Sequence, residues 1–494
     1  MKHDYIWLLG QAEQNGPNAF GINVLDFNND TLKMYERNFP IFFNVCNASM
    51  SDTNGNLIFY SNGCRINDAS HQVMQNGDML NPGQFWYGQL CDDTIYGSYN
   101  ITKGMITLPR PGHPDEYWLF HNAARYGESP FLAYVDKLYY TVVDMSLNNG
   151  LGAVTLKNQV ILKDTLAAGT LSAVKHANGQ DWWIIIAKEP FVDSVYFKVL
   201  FTEAGIVQVD TQHIGPITTE QASAAGQAQF SPDGSMYGWY SYQTQCALFD
   251  FDRSTGQLSN HRQIHVDTSN NHWGSFCFSP GSRYLYVGTT FNLWQFDTWA
   301  TDIEASKVHI DTFDGYKYNN IPAFFSHMQI APDCKIYVTT VSSSDVLHVI
   351  NFPDRPGNEC GFVQHQLKLV AINSPSSQPN FPNYRLDTPY PLCDSSIVYV
   401  PTGQVARPEG GVRVYPNPAY DYLNFSYSPA SGQQHEHVSF RIFDVLGREL
   451  HHFEGQPGEI TYTLPVWQWP PGVYFLQLLH KGLPVRTESF VVGK

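Results

Sequence analysis

The sequence predicts an all-β chain: a β-propeller followed by a small Ig-like antiparallel β-sandwich. Three observations carry this. One turn recurs along the chain, the strands behind it are evenly spaced, and the composition suits pleated surfaces. The turn is clearest at Ser231-Pro232-Asp233-Gly234, which leads into Met236-Tyr237-Gly238-Trp239-Tyr240. Pro presets φ at the second turn position, Asp bonds its own backbone, and Gly accepts positive φ at the end. Phe278-Ser279-Pro280-Gly281 leads likewise into Tyr284-Leu285-Tyr286-Val287, and Ile330-Ala331-Pro332-Asp333 into Lys335-Ile336-Tyr337-Val338. Weaker copies precede Leu57, Tyr117 and Trp182.

These six strand onsets fall about 50–65 residues apart, the spacing of four-stranded blades with long loops. Trp182-Trp183-Ile184-Ile185-Ile186 and Tyr284-Leu285-Tyr286-Val287 are apolar on both faces. Strands covered on both sides read this way. Aromatic residues make up 14% of the chain and charged residues only 15%. That balance fills pleated surfaces well and argues against disorder.

In chain order, residues 1–30 read as two strands, and residues 41–66 as two more around the Asp52–Gly55 turn. The stretch 76–100 is aromatic and loop-rich, and is expected to project from one face. Six repeats follow from the turns. Residues 1–30 and about 345–400 remain, and they are expected to combine into a seventh blade, an N-terminal strand closing the free edge. Seven blades are favoured, with six as the alternative. The propeller spans 1–400. Residues 401–411 are rich in Pro and Gly and read as a linker. Residues 412–494 carry shorter alternating strands such as Leu423-Asn424-Phe425-Ser426-Tyr427 and fit a sandwich.

The formal charge is −16, with 29 basic against 45 acidic residues and no basic run, so nucleic acid is a poor partner. No apolar run reaches the roughly 18 residues of a membrane span. Met1 to Gly10 lacks the apolar core of a signal peptide, so an exported chain would have lost its signal or begin upstream. Eight cysteines lack zinc-ligand spacing. Cys360–Cys393 is the expected disulfide, Cys46–Cys64 the second choice, with buried free thiols an even alternative.

There is no G-x-S-x-G element. Acids such as Asp92, Asp93, Asp115, Glu116, Glu189 and Asp193 are plentiful, but a glycosidase pair needs two that face each other across a cleft, and spacing does not supply that. Asp26 to Asp30 and Asp52 to Asn56 lack the twelve-residue calcium loop, and turn chemistry explains them. No cofactor or metal is expected. First strands of blades line a central channel. Asn47, Ser49, Ser172, Gln227, His272, Ser275 and His327 are therefore the candidate channel residues. Bonding among themselves and to channel water is the plainer role for them, against a ligand face. Phe85-Trp86-Tyr87 and Tyr316-Lys317-Tyr318 are aromatic loops suited to a wet interface, with Trp86 and Tyr87 the candidate contacts and interblade packing an equal alternative.

The last 83 residues, Val412 to Lys494, contain Tyr415-Pro416-Asn417-Pro418, then Asp444-Val445-Leu446-Gly447-Arg448, then Leu464 with Pro471-Gly472-Val473-Tyr474, and a final strand ending in Lys494. In this order they resemble the type A sorting domain of the type IX secretion system of Bacteroidota. The resemblance implies that Tyr415, Pro416, Asn417, Pro418, Asp444, Gly447, Pro471, Gly472, Tyr474 and Lys494 form a sorting signal. It further implies the secretion machinery as a partner, and an extracellular or outer-surface destination. Residues 1–400 resemble uncharacterised propeller-like surface proteins of the same bacteria, through Ser51 to Gly63, His327 to Val338 and Asn380-Phe381-Pro382-Asn383-Tyr384. Cys334 stands where a turn Gly is usual. The reading favours an exported binding or adhesion protein with a glycan or protein ligand, more a binder than an enzyme. A glycan-active hydrolase or lyase is the alternative.

Overall fold

The computed structural model describes residues 1–12, 20–28, 30–37, 39–93, 96–127, 133–190, 192–218, 226–241, 245–266, 274–373, 376–399, 412–427, 438–445, 448–454, 460–480 and 483–493. The chain divides into two compact units, 1–399 and 400–494.

Among the described residues the first unit has seven blade sheets, built outward in chain order apart from one late parallel strand on blade one, and a small two-stranded sheet, Lys317–Tyr318 with Ile321–Pro322. Blade one holds Ile6–Gly10, Ile22–Asp26 and Thr31–Arg37. Blade two has three strands, Ala48–Ser51, Leu57–Ser61 and Ile66–Asp68. Blades three to seven have four strands each and begin with Met105–Pro109, Ser172–Lys175, Gln227–Phe230, Gly274–Phe278 and Phe325–Ile330. The recurring turn joins the first strand of a blade to its second. In blade five, Ser231 Oγ donates to Asp233 Oδ1 at 2.6 Å, and Gly234 takes φ 73°. The second strands Trp182–Ala187, Met236–Ser241, Tyr284–Thr289 and Ile336–Thr340 are buried along their whole length. They lie between neighbouring blades and are covered on both faces, which explains their unbroken apolar runs. Outer strands such as Gly205–His213 face solvent and alternate poorly.

Closure meets the expectation in part: the N-terminal strands and residues 398–399 share one blade, but 345–373 belong to another and the covering strand is the C-terminal one. Blade seven is built from Phe325 to Asn373 alone. The N-terminal strands form blade one instead, and Val398–Tyr399 adds to that blade's outer edge, parallel to Thr31 and Leu32. The chain's return thus covers an edge that would otherwise expose unpaired backbone.

Both expected disulfides are corrected. Cys393 pairs with Cys334, and Cys64 with Cys91. Cys46 and Cys360 are buried free thiols, as are Cys246 and Cys277. Cys334 occupies the left-handed turn position at φ 64°, and Asp394 N–H donates to Pro332 O at 2.6 Å, which carries Cys393 to that turn. Cys360 lies in the separate short helical turn Gly357–Cys360. The described part of the 76–100 stretch packs in part against the blades instead of only projecting. It contains the short helix Gln84–Gly88, whose Phe85 and Trp86 are buried, and the Cys64–Cys91 bond fastens its end.

The second unit has a three-stranded sheet, Val412–Tyr415, Tyr422–Tyr427 and Ile460–Pro465, and a four-stranded one. The latter orders Glu449–Glu454, Val438–Asp444, Gly472–His480 and Leu483–Val492. Leu423, Phe425, Phe440, Ile442, Leu476 and Phe490 fill the core of this unit. Val438–Asp444 alternates buried and half-buried residues, the period of a sheet with one face in the core.

Candidate functional site

The axis of the first unit is filled by the chain itself. After blade seven, residues 376–385 run back among the inner strands and bond to one blade after another. Ser376 Oγ meets Ser326 Oγ of blade seven at 2.5 Å. Asn47, just before blade two, donates its amide to both Leu8 O and Ser377 O. Lys103 Nζ, before blade three, donates to Gln378 O and Pro379 O, each at 3.2 Å. Asn380 Nδ2 donates to Met105 O and Leu171 O, each at 3.1 Å, bridging blades three and four. Tyr384 OH reaches Thr107 O at 2.8 Å, and Asn383 Nδ2 reaches Pro232 O at 2.8 Å. A segment that touches so many inner strands lies in the middle of them. Phe381 and Tyr384 pack it against Trp7, His3 and Trp182.

Of the candidate channel residues, Asn47, Ser49, Gln227, Ser275 and His327 bond either to this strap or to neighbouring inner strands. Ser275 Oγ donates to Ser326 O at 2.7 Å, and Ser49 Oγ to Ile6 O at 2.9 Å. Gln227 donates to Met328 O at 2.8 Å and accepts from Met328 N at 3.2 Å, joining blades five and seven. His327 Nδ1 lies 3.5 Å from Ser376 O. Burial first, then the nearby Lys103 charge, pushes its pKa down to about 3, so the ring is neutral at ordinary pH. Lys103 has no acidic partner within bonding distance among the described residues, and burial pushes its ammonium down to about 7. His272 lies outside the described residues.

Among the described residues, a recess of about 50 Å³ lies at the turn end of the channel, lined in part by Asp4, Ser172, Gln329, Asn383 and Arg385. That is room for a few waters, at roughly 10–15 Å³ of such space each. Gln329 Oε1, buried and without a partner there, suits such a water.

The aromatic loops divide. Trp86 is buried and donates its ring N–H to Cys64 O at 3.4 Å, whereas Tyr87 is 58% exposed. Tyr316 stacks on His365 with centroids 4.5 Å apart and donates to Asp345 Oδ1 at 3.2 Å. Asp26 and Asp52 accept from their own turn, Asp26 from Asn28 and Asp52 from Asn54 and Asn56.

In the second unit the opening motif and Gly472–Tyr474 lie beside the last strand, whereas Asp444 sits one strand further in. Asp444 accepts from Arg448 N at 3.0 Å and from Arg448 Nε at 2.6 Å, closing a turn. Tyr474 is buried against Phe490, centroids 5.7 Å apart, and donates to Pro470 O at 2.6 Å. Pro471 and Gly472 are exposed at the start of Gly472–His480. Tyr415 to Pro418 are exposed, yet Asn417 Oδ1 accepts from Val491 N at 2.9 Å. Ala419 N donates to Val491 O, and Gly493 N to Ala419 O, each at 2.8 Å. The opening motif and the final strand are therefore one structure. Gly447 and Lys494 lie outside the described residues, as does the linker 401–411.

Residues 413–492 match a family described as "Secretion system C-terminal sorting domain". This indicates export to the cell surface or the extracellular space, and an encounter with secretion machinery. No curated protein matches the chain. Among solved structures, a candidate 6-phosphogluconolactonase of Bacteroides fragilis is 10% identical with a TM-score of 0.43, covering 76% of this chain and 97% of that one. The periplasmic gluconolactonase of Pseudomonas aeruginosa is 11% identical with a TM-score of 0.33, covering 94% of this chain and 99% of that one. Sqt1 of Saccharomyces cerevisiae is 8% identical with a TM-score of 0.37, covering 87% and 94%. No described helix is long and apolar enough to cross a membrane.

Proposed function

We propose that this protein is an exported propeller that binds a glycan or protein ligand outside the cell, delivered through the type IX route by residues 412–494. The observation that carries the binding reading is the filled axis. Lys103, Asn47, Ser275, Gln227 and His327 bond to the strap or to neighbouring inner strands. Recognition then falls to the outer faces and their aromatic tips, of which Tyr87 is the most exposed aromatic of the candidate loops. A Tyr ring with a polar handle suits such a wet contact.

The test has two arms. The full chain, produced with an export leader in a bacterium that has this route, is compared with a chain ending at residue 411. Surface protease accessibility of the full chain alone supports the delivery reading, and equal display of both overturns it. The purified full chain is then screened on glycan and peptide arrays, with Tyr87→Ala alongside. A hit weakened by Tyr87→Ala supports the binding reading. Turnover of an arrayed glycan overturns it in favour of a hydrolase or lyase.

A further inference from the structure

The last strand of the second unit, Leu483–Val492, is the edge of its four-stranded sheet, with Gly472–His480 on one side. An edge strand offers a row of unpaired N–H and C=O groups. Near its end those groups are met by the motif that opens the unit. Asn417 Oδ1 accepts from Val491 N at 2.9 Å, and Asn417 Nδ2 approaches Ser489 O at 3.5 Å. Two residues on, Ala419 continues with backbone bonds to Val491 O and from Gly493 N. Val492 and Ala419 are both buried in the core, and Gly493 lies against the Tyr420 ring, where an added Cβ would come within 2.7 Å of it.

From this geometry we infer that Asn417 is a positioning residue for the sorting strand: its carboxamide stands in for a neighbouring strand and holds 489–493 in register. The inference rests on the reading of this unit as a sorting signal. The carboxamide is the side chain suited to the task because it accepts and donates from one rigid plane, as a peptide group does. Asp keeps the acceptor for Val491 N–H and loses only the longer contact to Ser489. Ala loses both. The class of partner follows: machinery that reads the end of this chain meets a strand already fixed to the motif, not a free tail.

The test uses the full chain. Asn417→Ala and Asn417→Asp are made, and amide hydrogen exchange over 489–493 is measured on the purified proteins. Surface display is measured in a bacterium with the secretion route. Asn417→Ala is expected to raise exchange at Val491 about tenfold, the worth of one hydrogen bond, and to reduce display. Asn417→Asp is expected to restore protection at Val491 and display together. Leu464→Ala, a core truncation that leaves the Asn417 carboxamide in place, controls for general loosening and should leave Val491 no less protected than its neighbours. Unchanged exchange in Asn417→Ala, or equal loss of display in the Ala and Asp variants, overturns the inference. If the unaltered chain is not displayed at all, the sorting reading fails, and the exchange arm still decides whether Asn417 holds the strand.

Discussion

Asp4 and Arg385 stand 381 positions apart and meet in a buried two-point ion pair, at 2.6 and 2.7 Å. Arg385 closes the strap and Asp4 precedes the first strand of blade one, so the pair locks the filled axis to the ring. Arg385 also donates to Met1 O at 3.2 Å and to Leu392 O at 2.7 Å, so every nitrogen of the guanidinium is used. Asp4→Ala leaves a buried guanidinium without its carboxylate and is expected to cost about 3–5 kcal/mol. Urea unfolding followed by tryptophan fluorescence measures it, and a loss below 1 kcal/mol would contradict the lock.

Asn380→Ala removes a donor from two buried carbonyls on different blades, Met105 O and Leu171 O. About 1–3 kcal/mol is expected for each group left unpaired. Phe381→Ala, which empties a site beside Trp7, is expected to cost about 3–5 kcal/mol. Both appear as a lowered midpoint in the same unfolding experiment, with the slope unchanged if the ring still opens cooperatively.

The Lys103 ammonium gives the first unit a pH dependence. Burial lowers its pKa from 10.5 to about 7 in the folded chain. Between those two values the unfolded chain holds a proton that the folded chain does not, so stability rises with pH across the window. This contribution is fully present above 10.5 and is lost as pH falls through about 7. Its slope is roughly 1.4 kcal/mol per pH unit. Lys103→Met should flatten the curve between pH 7.5 and 9.5 relative to the unaltered chain. Parallel curves for the two proteins would show that Lys103 keeps its proton inside the fold.

Unfolded without reductant, the chain should titrate four thiols: Cys46, Cys246, Cys277 and Cys360. Peptide mapping should recover Cys334 joined to Cys393 and Cys64 joined to Cys91. Replacing Cys334 and Cys393 together by Ser is expected to cost about 2–4 kcal/mol, since the bond closes a long loop that ends at the strap's exit. A Cys360–Cys393 peptide would refute the pairing.

Local chemistry was legible in the sequence. The turn residues fix where a second strand begins, and Leu57, Trp182, Met236, Tyr284 and Ile336 all start strands. Tyr117 follows the first residue of its strand. Doubly apolar runs, set by burial on two faces, identify the middle of each blade. The order of the tail motifs identifies the sorting unit, because each motif is a short turn or strand whose residues act on their immediate neighbours.

What the tertiary structure decided involves partners far apart in the chain. Asn380-Phe381-Pro382-Asn383-Tyr384 has the composition of a surface turn, and only the closed ring puts it on the axis, bonded to residues more than 200 positions away. Cys393 finds Cys334 because the strap delivers it to that turn, a route that cysteine spacing does not encode. Asn417 meets Val491 across 74 positions once two sheets have stacked. Turn propensity depends on the residues beside it and can be read in place; pairing across the fold depends on where the ring and the sandwich close.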